Sequence, residues 1–404
     1  MRVLLSTYDS RGGIEPLAAL AVRLQAFGAE AVVCAPPDCA ARLDEVGVPL
    51  VPTGDSVREL VHGDVPPAQT DVARTIDNLI ATWFEQVGPI AAKCDAVVAS
   101  GVVPAAAAAR SVAELAGIPS VLVHYCPIFL PSPHHRPQPL PGRAVPPEVT
   151  DPRELNELDI ENYNAAFGPP LNAHRVAHGL PPVNNVRDFV KGHPWLAADP
   201  VLAPWPDPDT GDVTQTGAWI LPDDRPLPPD LVAWLAAGPP PVYVSFGSMR
   251  APQNIAGLAV EVIRAHGHRA LIGSGWAGLT PPEDTGDCFA VGEVNQQALF
   301  ARVAAVIHHG GAGTTTTATR AGVPQVVVPQ WADQPYFARR VTDLSIGAGV
   351  EASHDGSPPS AEALSSALAA ALTPATRERA AAVAGTIRTD GAEVAAHLLL
   401  DGVG

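Results

Sequence analysis

The sequence is poor in cysteine, in basic residues and in long apolar runs, and each shortage excludes a class of protein. Its five cysteines are scattered and form no Cys-x-x-Cys pair, so we expect reduced thiols, not a disulfide framework or a zinc site. A net charge of −17 argues against nucleic acid and anionic membranes as partners. No stretch approaches the roughly 18 apolar residues of a membrane span, and the N-terminus does not look like a signal peptide. We therefore predict a cytoplasmic protein.

What the sequence does contain is enough apolar material for two folded domains. Hydrophobic residues make up 47% of the 404 residues and charged residues 17%, the opposite of the balance found in disordered chains. At roughly 100–200 residues per domain, two domains are the natural expectation. The 35 glycines and 44 prolines are abundant, and we expect most of them in loops.

Strand-like and helical segments alternate in both halves of the chain. In the first half we predict strands over residues 2–7 and 95–100 and a helix over 15–26. The second half restarts the pattern, with strands over 241–246 and 304–308. Such alternation predicts an α/β fold with parallel sheets covered on both faces. Two such sheets facing one another would form a cleft at the carboxyl ends of their strands, where open α/β sheets bind ligands.

Two proline-rich segments interrupt this alternation. Residues 127–150 are long and irregular, which is typical either of a lid or acceptor loop or of a flexible surface loop. Residues 204–209 resemble an interdomain linker, so we interpret Asp207-Pro208-Asp209 as a solvated turn and not as a metal–nucleotide motif. His134 and His135 lack a cysteine or carboxylate at ligand spacing. We therefore predict no metal site.

The sharpest signal is a glycine-rich segment between a predicted strand and a predicted helix. Glycine lets the backbone turn sharply and approach a ligand, and the first N–H groups of a helix have no intrahelical acceptor. Because a helix N-terminus also attracts anions, the segment predicts a pyrophosphate cradle. A tight strand–helix turn without a ligand is the alternative. The segment comprises His309, Gly310, Gly311, Ala312, Gly313 and Thr314.

Polar residues follow other predicted strands as well. Gln330, Asp333 and Gln334 follow a strand over 325–329 and offer groups suited to sugar hydroxyls, although Asp333 could be only a helix N-cap. Three further residues could contact a phosphate: Ser248 after the first strand of the second half, and Ser10 and Arg11 after the first strand of the chain. The alternatives are a turn without a ligand for Ser248 and a solvated surface side chain for Arg11.

Eight segments carry a family resemblance in combination: residues 1–5, 10–12, 34–37, 215–222, 246–248, 292–295, 308–315 and 333–336. Together they resemble the bacterial glycosyltransferases that decorate vancomycin-type glycopeptide antibiotics, members of glycosyltransferase family 1. The resemblance covers nearly the whole chain, and the loops around 55–70 and 127–150 differ most.

The resemblance implies a GT-B fold, in which two Rossmann-like domains face a deep interdomain cleft. Residues 1–203 would bind the acceptor, 204–214 would be the linker, 215–385 would bind a UDP- or dTDP-sugar, and 386–404 would form a helix that returns to the N-terminal domain. The reaction would invert the anomeric centre and need neither a metal nor another cofactor. The acceptor would be a hydroxyl of a glycopeptide aglycone or a similar aromatic peptide, and the protein a monomer.

The resemblance also assigns residues to the donor site. The loop Glu293-Val294-Asn295 would border the base, and the Asp333–Gln334 pair favours a glucose- or N-acetylglucosamine-like sugar. The complete set is Ser10, Arg11, Gly12, Ser248, Val294, His309, Gly310, Gly311, Ala312, Gly313, Thr314, Gln330, Asp333 and Gln334.

The sequence departs from the family at the expected general base. The family reads Ser-Arg-Gly-Asp in the first turn, whereas here that aspartate is Gly13, and Asp9 stands where the family has glycine. Sugar transfer by direct displacement needs a base near the attacking hydroxyl, which leaves Asp9 and Asp333 as candidates, although a phenol acceptor would need less help. Ser274 also replaces a frequent arginine. A catalytically weak helper homologue and a nucleotide-sugar epimerase on the same fold are the alternative functions.

Overall fold

A computed structural model describes residues 1–62, 71–140, 142–143, 146, 148–207, 211–280, 286–351 and 357–402. The chain divides into two compact units. The first unit comprises residues 1–198, 204–221 and 389–404, and the second comprises 199–203 and 222–388.

The first unit is built on a seven-stranded parallel sheet in the order β3-β2-β1-β4-β5-β6-β7. Successive residues of the strand Arg2–Tyr8 point to opposite faces of this sheet: Val3 and Leu5 pack into one core cluster, and Leu4 packs into another. The sheet is therefore covered on both faces. The strands are β1 Arg2–Tyr8, β2 Glu30–Ala35, β3 Leu50–Pro52, β4 Ala96–Gly101, β5 Ser120–His124, β6 Trp195–Leu196 and β7 Thr214–Gln215. The helices are α1 Arg11–Ala26, α2 Ala40–Glu45, α3 Val57–His62, α4 Val72–Thr82, α5 Gly88–Ala91, α6 Val103–Ala116, α7 Pro152–Ala177 and α8 Val186–Lys191.

The second unit repeats the plan with a six-stranded parallel sheet in the order β10-β9-β8-β11-β12-β13. The strands are β8 Val242–Ser245, β9 Ala270–Gly273, β10 Cys288–Val291, β11 Ala305–His308, β12 Gln325–Val327 and β13 Gly347–Gly349. The helices are α9 Pro229–Ala236, α10 Ile255–Ala265, α11 Gln296–Phe300, α12 Ala312–Arg320, α13 Gln334–Asp343, α14 Ala361–Ala371 and α15 Pro374–Ala384. The predicted α/β class with parallel sheets is confirmed.

The last helix, α16 Gly391–Leu400, belongs to the first unit. The sequence predicts one helical tail over 374–400, but the chain has α15 in the second unit and α16 in the first, separated by residues 385–390. Ala395 and Leu399 of α16 are fully buried in the core cluster that contains α1. A Cβ on Gly391 would lie 2.5 Å from the Ala218 carbonyl oxygen, so the helix begins where only glycine fits.

The observed division differs from the predicted boundaries around the proline-rich segment at 204–209. β7 pairs with β6 as the last strand of the first sheet, so residues 204–221 belong to the first unit, and the second unit resumes at 222. The Asp207 carboxylate accepts from the His134 ring at 2.7 Å within this unit. Pro208 and Asp209 lie outside the described residues.

Other expectations from the sequence concern loops, thiols and membranes. The described part of residues 127–150 contains a 3₁₀ turn at Pro127–Phe129 and no helix or strand, while residues 141, 144, 145 and 147 lie outside the described residues. All five cysteines are buried, and none forms a disulfide. Within the residues that the structure describes, no helix is long and apolar enough to cross a bilayer.

Candidate active site

Three loops of the second unit leave the same edge of its sheet. His308, the last residue of β11, is aligned with Ser245 of β8 and with Val327 of β12. The segments that follow these strands therefore lie side by side at their carboxyl ends, where the strand order reverses. They are residues 246–248, 309–311 and 328–334. This register brings Ser248, the glycine-rich segment and Gln330 to one place.

The glycine-rich segment forms a sharp turn into α12. Gly310 has φ +94°, and a Cβ there would lie 2.7 Å from a Val327 methyl group. The helix begins at Ala312, so the amides of Ala312, Gly313 and Thr314 have no intrahelical acceptor, and Gly311 at the N-cap supplies no side-chain acceptor either. Nothing lies within 4 Å of a Cβ built on Gly313. The helix therefore begins with three amides that have no intrahelical acceptor, and the side-chain position of Gly313 is open.

The His309 ring is enclosed by glycines of two adjacent loops. A Cβ on Gly247 would lie 2.9 Å from its Cε1, and a Cβ on Gly311 would lie 2.5 Å from its Nε2. Burial lowers the pKa of His309 to about 4, so the ring is neutral near pH 7. Its Nδ1 is buried with no hydrogen-bond partner among the described residues. The atom therefore lacks the hydrogen-bond partner that buried polar groups normally have.

The turn between β12 and α13 is held by a side-chain amide. Gln334 Oε1 accepts from the backbone N–H of Gln330 at 2.8 Å and of Trp331 at 3.3 Å. The Gln330 side-chain nitrogen is buried with no partner among the described residues. Asp333 occupies the N-cap position of α13, but its side chain makes no capping hydrogen bond. Asp333 therefore has the N-cap position that the alternative predicts, but its carboxylate does not form the N-cap hydrogen bond.

The residues expected near the base have mainly structural contacts. Asn295 caps α11 by accepting from Ala298 N at 3.0 Å, and its Nδ2 donates to the Asp223 carbonyl at 2.7 Å. Val294 packs against the neighbouring apolar cluster. The hydroxyl of Ser274 donates to Val291 O at 3.1 Å. No local pattern predicts the contact between Asn295 and Asp223, because the two residues are 72 positions apart.

In the first unit, the predicted phosphate-binding turn lies between β1 and α1. Ser10 is buried at the N-cap of α1, and Gly12 is exposed with nothing within 4 Å of a built Cβ. Arg11 donates to Glu15 at 2.6 Å, and Glu15 also accepts from Arg42 at 2.9 Å. Arg11 is therefore part of a partly buried ion-pair network and not a solvated cation.

The Asp9 carboxylate fills the space of a missing side chain. A Cβ on Gly13 would lie 2.6 Å from Asp9 Cβ and 2.7 Å from Asp9 Oδ2. Asp9 Oδ1 accepts from the Ser10 amide at 2.6 Å. Desolvation by burial raises the pKa of Asp9 to about 6, although this hydrogen bond opposes the shift. Asp9 thus has a carboxyl group that titrates near neutral pH.

A tyrosine near this carboxylate, Tyr125, is not among the residues predicted from the sequence. The Tyr125 hydroxyl lies 3.1 Å from Ser100 Oγ and 3.4 Å from the Gly13 carbonyl oxygen. Its position directly after β5 was the available signal, because Asp9 likewise follows β1 at the same edge of the sheet.

Within the described residues, no group of three His, Cys, Asp or Glu side chains is placed to hold a metal.

Comparison with known proteins identifies the family. Residues 285–399 match the erythromycin biosynthesis protein CIII-like C-terminal domain. The chain is 55% identical to glycosyltransferase GtfE and 54% identical to vancomycin aglycone glucosyltransferase, both of Amycolatopsis orientalis, over 100% of this chain and 98% of each relative. The crystal structure of the glycotransferase of kitacinnamycin, at 22% identity, superimposes with a TM-score of 0.74 over 99% of this chain and 98% of that one, which shows a shared fold. The chain belongs to the GT-B glycosyltransferases, in the family that includes GtfE and vancomycin aglycone glucosyltransferase.

Proposed function

We propose that this enzyme transfers a glucose- or N-acetylglucosamine-like sugar from a UDP- or dTDP-sugar to a hydroxyl of a glycopeptide aglycone or a similar aromatic peptide. The transfer inverts the anomeric centre, uses no metal and is carried out by a monomer in the cytoplasm. The observation that carries the proposal is the start of α12, where three amides without intrahelical acceptors come shortly after the buried His309. The 54% identity to a vancomycin aglycone glucosyltransferase supports this acceptor class.

The donor's diphosphate binds at the start of α12. The amides of Ala312, Gly313 and Thr314 point along the helix axis toward the negative charge, which the helix dipole also favours. The neutral His309 ring adds a ring donor, and Ser248 follows the adjacent strand. Gly310 and Gly311 contribute their backbone shape. Further contacts come from Ser10, Arg11 and Gly12, with Val294 at the base and Gln330, Asp333 and Gln334 at the sugar.

Asp9 is the general base of this proposal. Its carboxylate lies where a side chain on Gly13 would begin, and burial places its pKa near 6, which suits proton transfer near neutral pH. Asp9 accepts the proton of the acceptor hydroxyl as that oxygen bonds to the anomeric carbon. The bond from that carbon to the phosphate oxygen breaks, and the nucleoside diphosphate leaves with the electron pair. Asp333 is the second candidate, because it lies in the segment that follows β12, at the same strand ends as the glycine-rich segment.

One assay tests the function directly. The protein is incubated with vancomycin- or teicoplanin-type aglycones and a panel of UDP- and dTDP-sugars, and products are detected by mass. We expect a mass increase of one hexose or N-acetylhexosamine. Binding of UDP without product from any donor would support the helper alternative, and conversion of the nucleotide sugar without acceptor would support the epimerase. The comparisons favour neither alternative, because the relatives named above are glycosyltransferases.

The base is assigned by replacing Asp9 and Asp333 separately with asparagine. Loss of a general base lowers the rate about 10²- to 10⁴-fold. We expect this loss for Asp9→Asn, and a smaller loss with a raised KM for the nucleotide sugar for Asp333→Asn. The reverse ranking would transfer the role to Asp333. If neither variant loses ~10²-fold, both assignments fail.

A further inference from the structure

Three fully buried polar side chains lie behind the glycine-rich segment and form one hydrogen-bonded chain. His308, Gln325 and Thr319 are each at most 1% exposed. The His308 ring lies 3.0 Å from Gln325 Oε1, and Gln325 Nε2 donates to Thr319 Oγ1 at 2.9 Å. None of them is among the donor-site residues proposed above. Because they are buried, they cannot contact a ligand directly.

The contacts determine which ring nitrogen of His308 carries the proton. The backbone N–H of Gly310 donates to His308 Nδ1 at 3.1 Å, so Nδ1 is an acceptor and the proton is on Nε2. Nε2 then donates to Gln325 Oε1, which directs the Gln325 amide nitrogen toward Thr319. The Thr319 hydroxyl donates to the Thr315 carbonyl at 2.8 Å. Burial lowers the pKa of His308 to about 3, so the ring stays neutral over the physiological range.

We propose that His308 is a positioning residue for nucleotide binding, held in one tautomer by Gln325 and Thr319. It binds the amide of Gly310 and thereby fixes the turn that orients the first amides of α12. This inference rests on the proposed function, because it assumes that those amides hold the diphosphate.

The geometry explains why the tautomer matters. Gly310 has φ +94°, a conformation in which its amide points back toward β11. In the other tautomer, an Nδ1–H would face the Gly310 N–H, and neither group would have an acceptor. Thr319 lies on α12 itself, so the chain links strand, turn and helix into one unit. The His308 ring therefore acts on the ligand only through the backbone.

Two pairs of variants separate this role from packing. His308→Asn keeps an acceptor within reach of Gly310 N–H, whereas His308→Leu removes it. Thr319→Ser keeps the hydroxyl, whereas Thr319→Val keeps the shape and removes it. If the hydrogen-bonded chain positions the turn, the Leu and Val variants should raise the Kd for UDP about tenfold, which corresponds to the loss of one hydrogen bond. The Asn and Ser variants should have a Kd within about threefold of the wild-type value. Packing predicts the opposite ranking, because Asn and Ser fill the sites less well.

The measurements are isothermal titration with UDP and dTDP, thermal unfolding, and KM for each substrate. The KM for the nucleotide sugar should rise while the KM for the acceptor is unchanged. His266→Leu is the matched control, because His266 bonds Ser365 at 2.9 Å elsewhere in the second unit. Equal losses in all four variants, or losses that merely follow unfolding temperature as in His266→Leu, would overturn the inference. If the wild type binds neither nucleotide, the proposed function itself fails.

Discussion

At the scale of single residues, Asp9 and Gly13 constrain one another. A side chain at position 13 would begin 2.6 Å from Asp9 Cβ, so only one of the two positions can carry a carboxylate. We expect Asp9→Gly to lower kcat/KM by at least ~10²-fold, the low end of a general base's contribution. Gly13→Asp alone should also lose activity, because it crowds two carboxylates into one space.

The double variant Asp9→Gly with Gly13→Asp tests this exchange. It restores a single carboxylate in the same space, so we expect kcat/KM to recover to within about tenfold of the wild type, well above either single variant. Steady-state kinetics on the three variants form the cycle. A double variant no more active than the singles would show that a carboxylate at position 13 cannot replace the one at position 9, and a fully active Asp9→Gly would show that Asp9 has no catalytic role.

The pH dependence of Asp9 gives a second prediction. Because burial raises its pKa to about 6, the ionised base is lost as the pH falls through that value, and kcat/KM should fall about tenfold per pH unit below it. Asp9→Asn should be slow and lack this limb. It should also unfold at a higher temperature than the wild type at pH 8, because the wild type then holds a buried charge. The difference in unfolding temperature should shrink between about pH 6 and pH 4, as Asp9 is protonated in the folded wild type. An unchanged acid limb in Asp9→Asn would assign it to another group.

The roles of these residues could be predicted from the sequence only in part. Asp9 was a candidate because it stands near the turn, but the reason that it can serve, the space at Gly13, required coordinates. The role of His308 depends on the register of β11 against β12, which aligns Gln325 with Val306 and so leaves its side chain within 3.0 Å of the His308 ring. No local pattern encodes that register. Arg11 was expected near a phosphate, yet its pairing with Glu15 brings in Arg42, a residue 31 positions away.

At the scale of elements, α7 and α8 are joined by a buried ion pair. Arg187 Nε donates to Asp159 at 2.6 Å, and both side chains are at most 5% exposed. Arg187→Met leaves a carboxylate buried without its partner, so we expect a loss of about 3–5 kcal/mol in the stability of the first unit. Asp159→Asn with Arg187→Met should recover part of it. Urea denaturation with a fluorescence or circular dichroism readout measures the free energy of unfolding of the single and the double variant. An Arg187→Met variant as stable as the wild type would contradict the expectation.

The sequence predicted some elements well and missed others for physical reasons. The β-branched strands next to the switch points, β1, β4, β8 and β11, were predicted to within about two residues, because burial on both faces gives a continuous apolar run. β6 and β7 are two residues each and too short to show a pattern. α7 contains Pro169 and Pro170, residues that normally argue against a helix interior.

At the scale of the whole molecule, α16 completes the core of the first unit. Leu399 is fully buried against this core, whereas the adjacent Leu398 is 37% exposed. We expect Leu399→Ala to destabilise the first unit by about 2–5 kcal/mol, and Leu398→Ala, the matched control, to have little effect. Unfolding monitored by urea titration would distinguish them. Equal effects of the two substitutions would mean that α16 contributes little to this core.

The division into units could be predicted only in outline. Repeated strand–helix alternation indicated two α/β halves, but the proline cluster at 204–209 was interpreted as the boundary. The structure continues the first sheet past it to β7. Prolines indicate only where the chain turns. The unit to which residues 204–221 belong is determined by the pairing of β7 with β6, which begins ten residues after Pro204.

The return of α16 to α1 has a consequence for biosynthesis. On the ribosome, α1 is made before the second unit, yet the helix that covers one of its faces is made only after that unit. The nascent first unit therefore exposes an apolar surface until α16 has been made. The second unit has all its strands by then and can complete its own core without α16. We expect the C-terminal half to reach its native state before the N-terminal half, a reversal of the usual order of synthesis and folding.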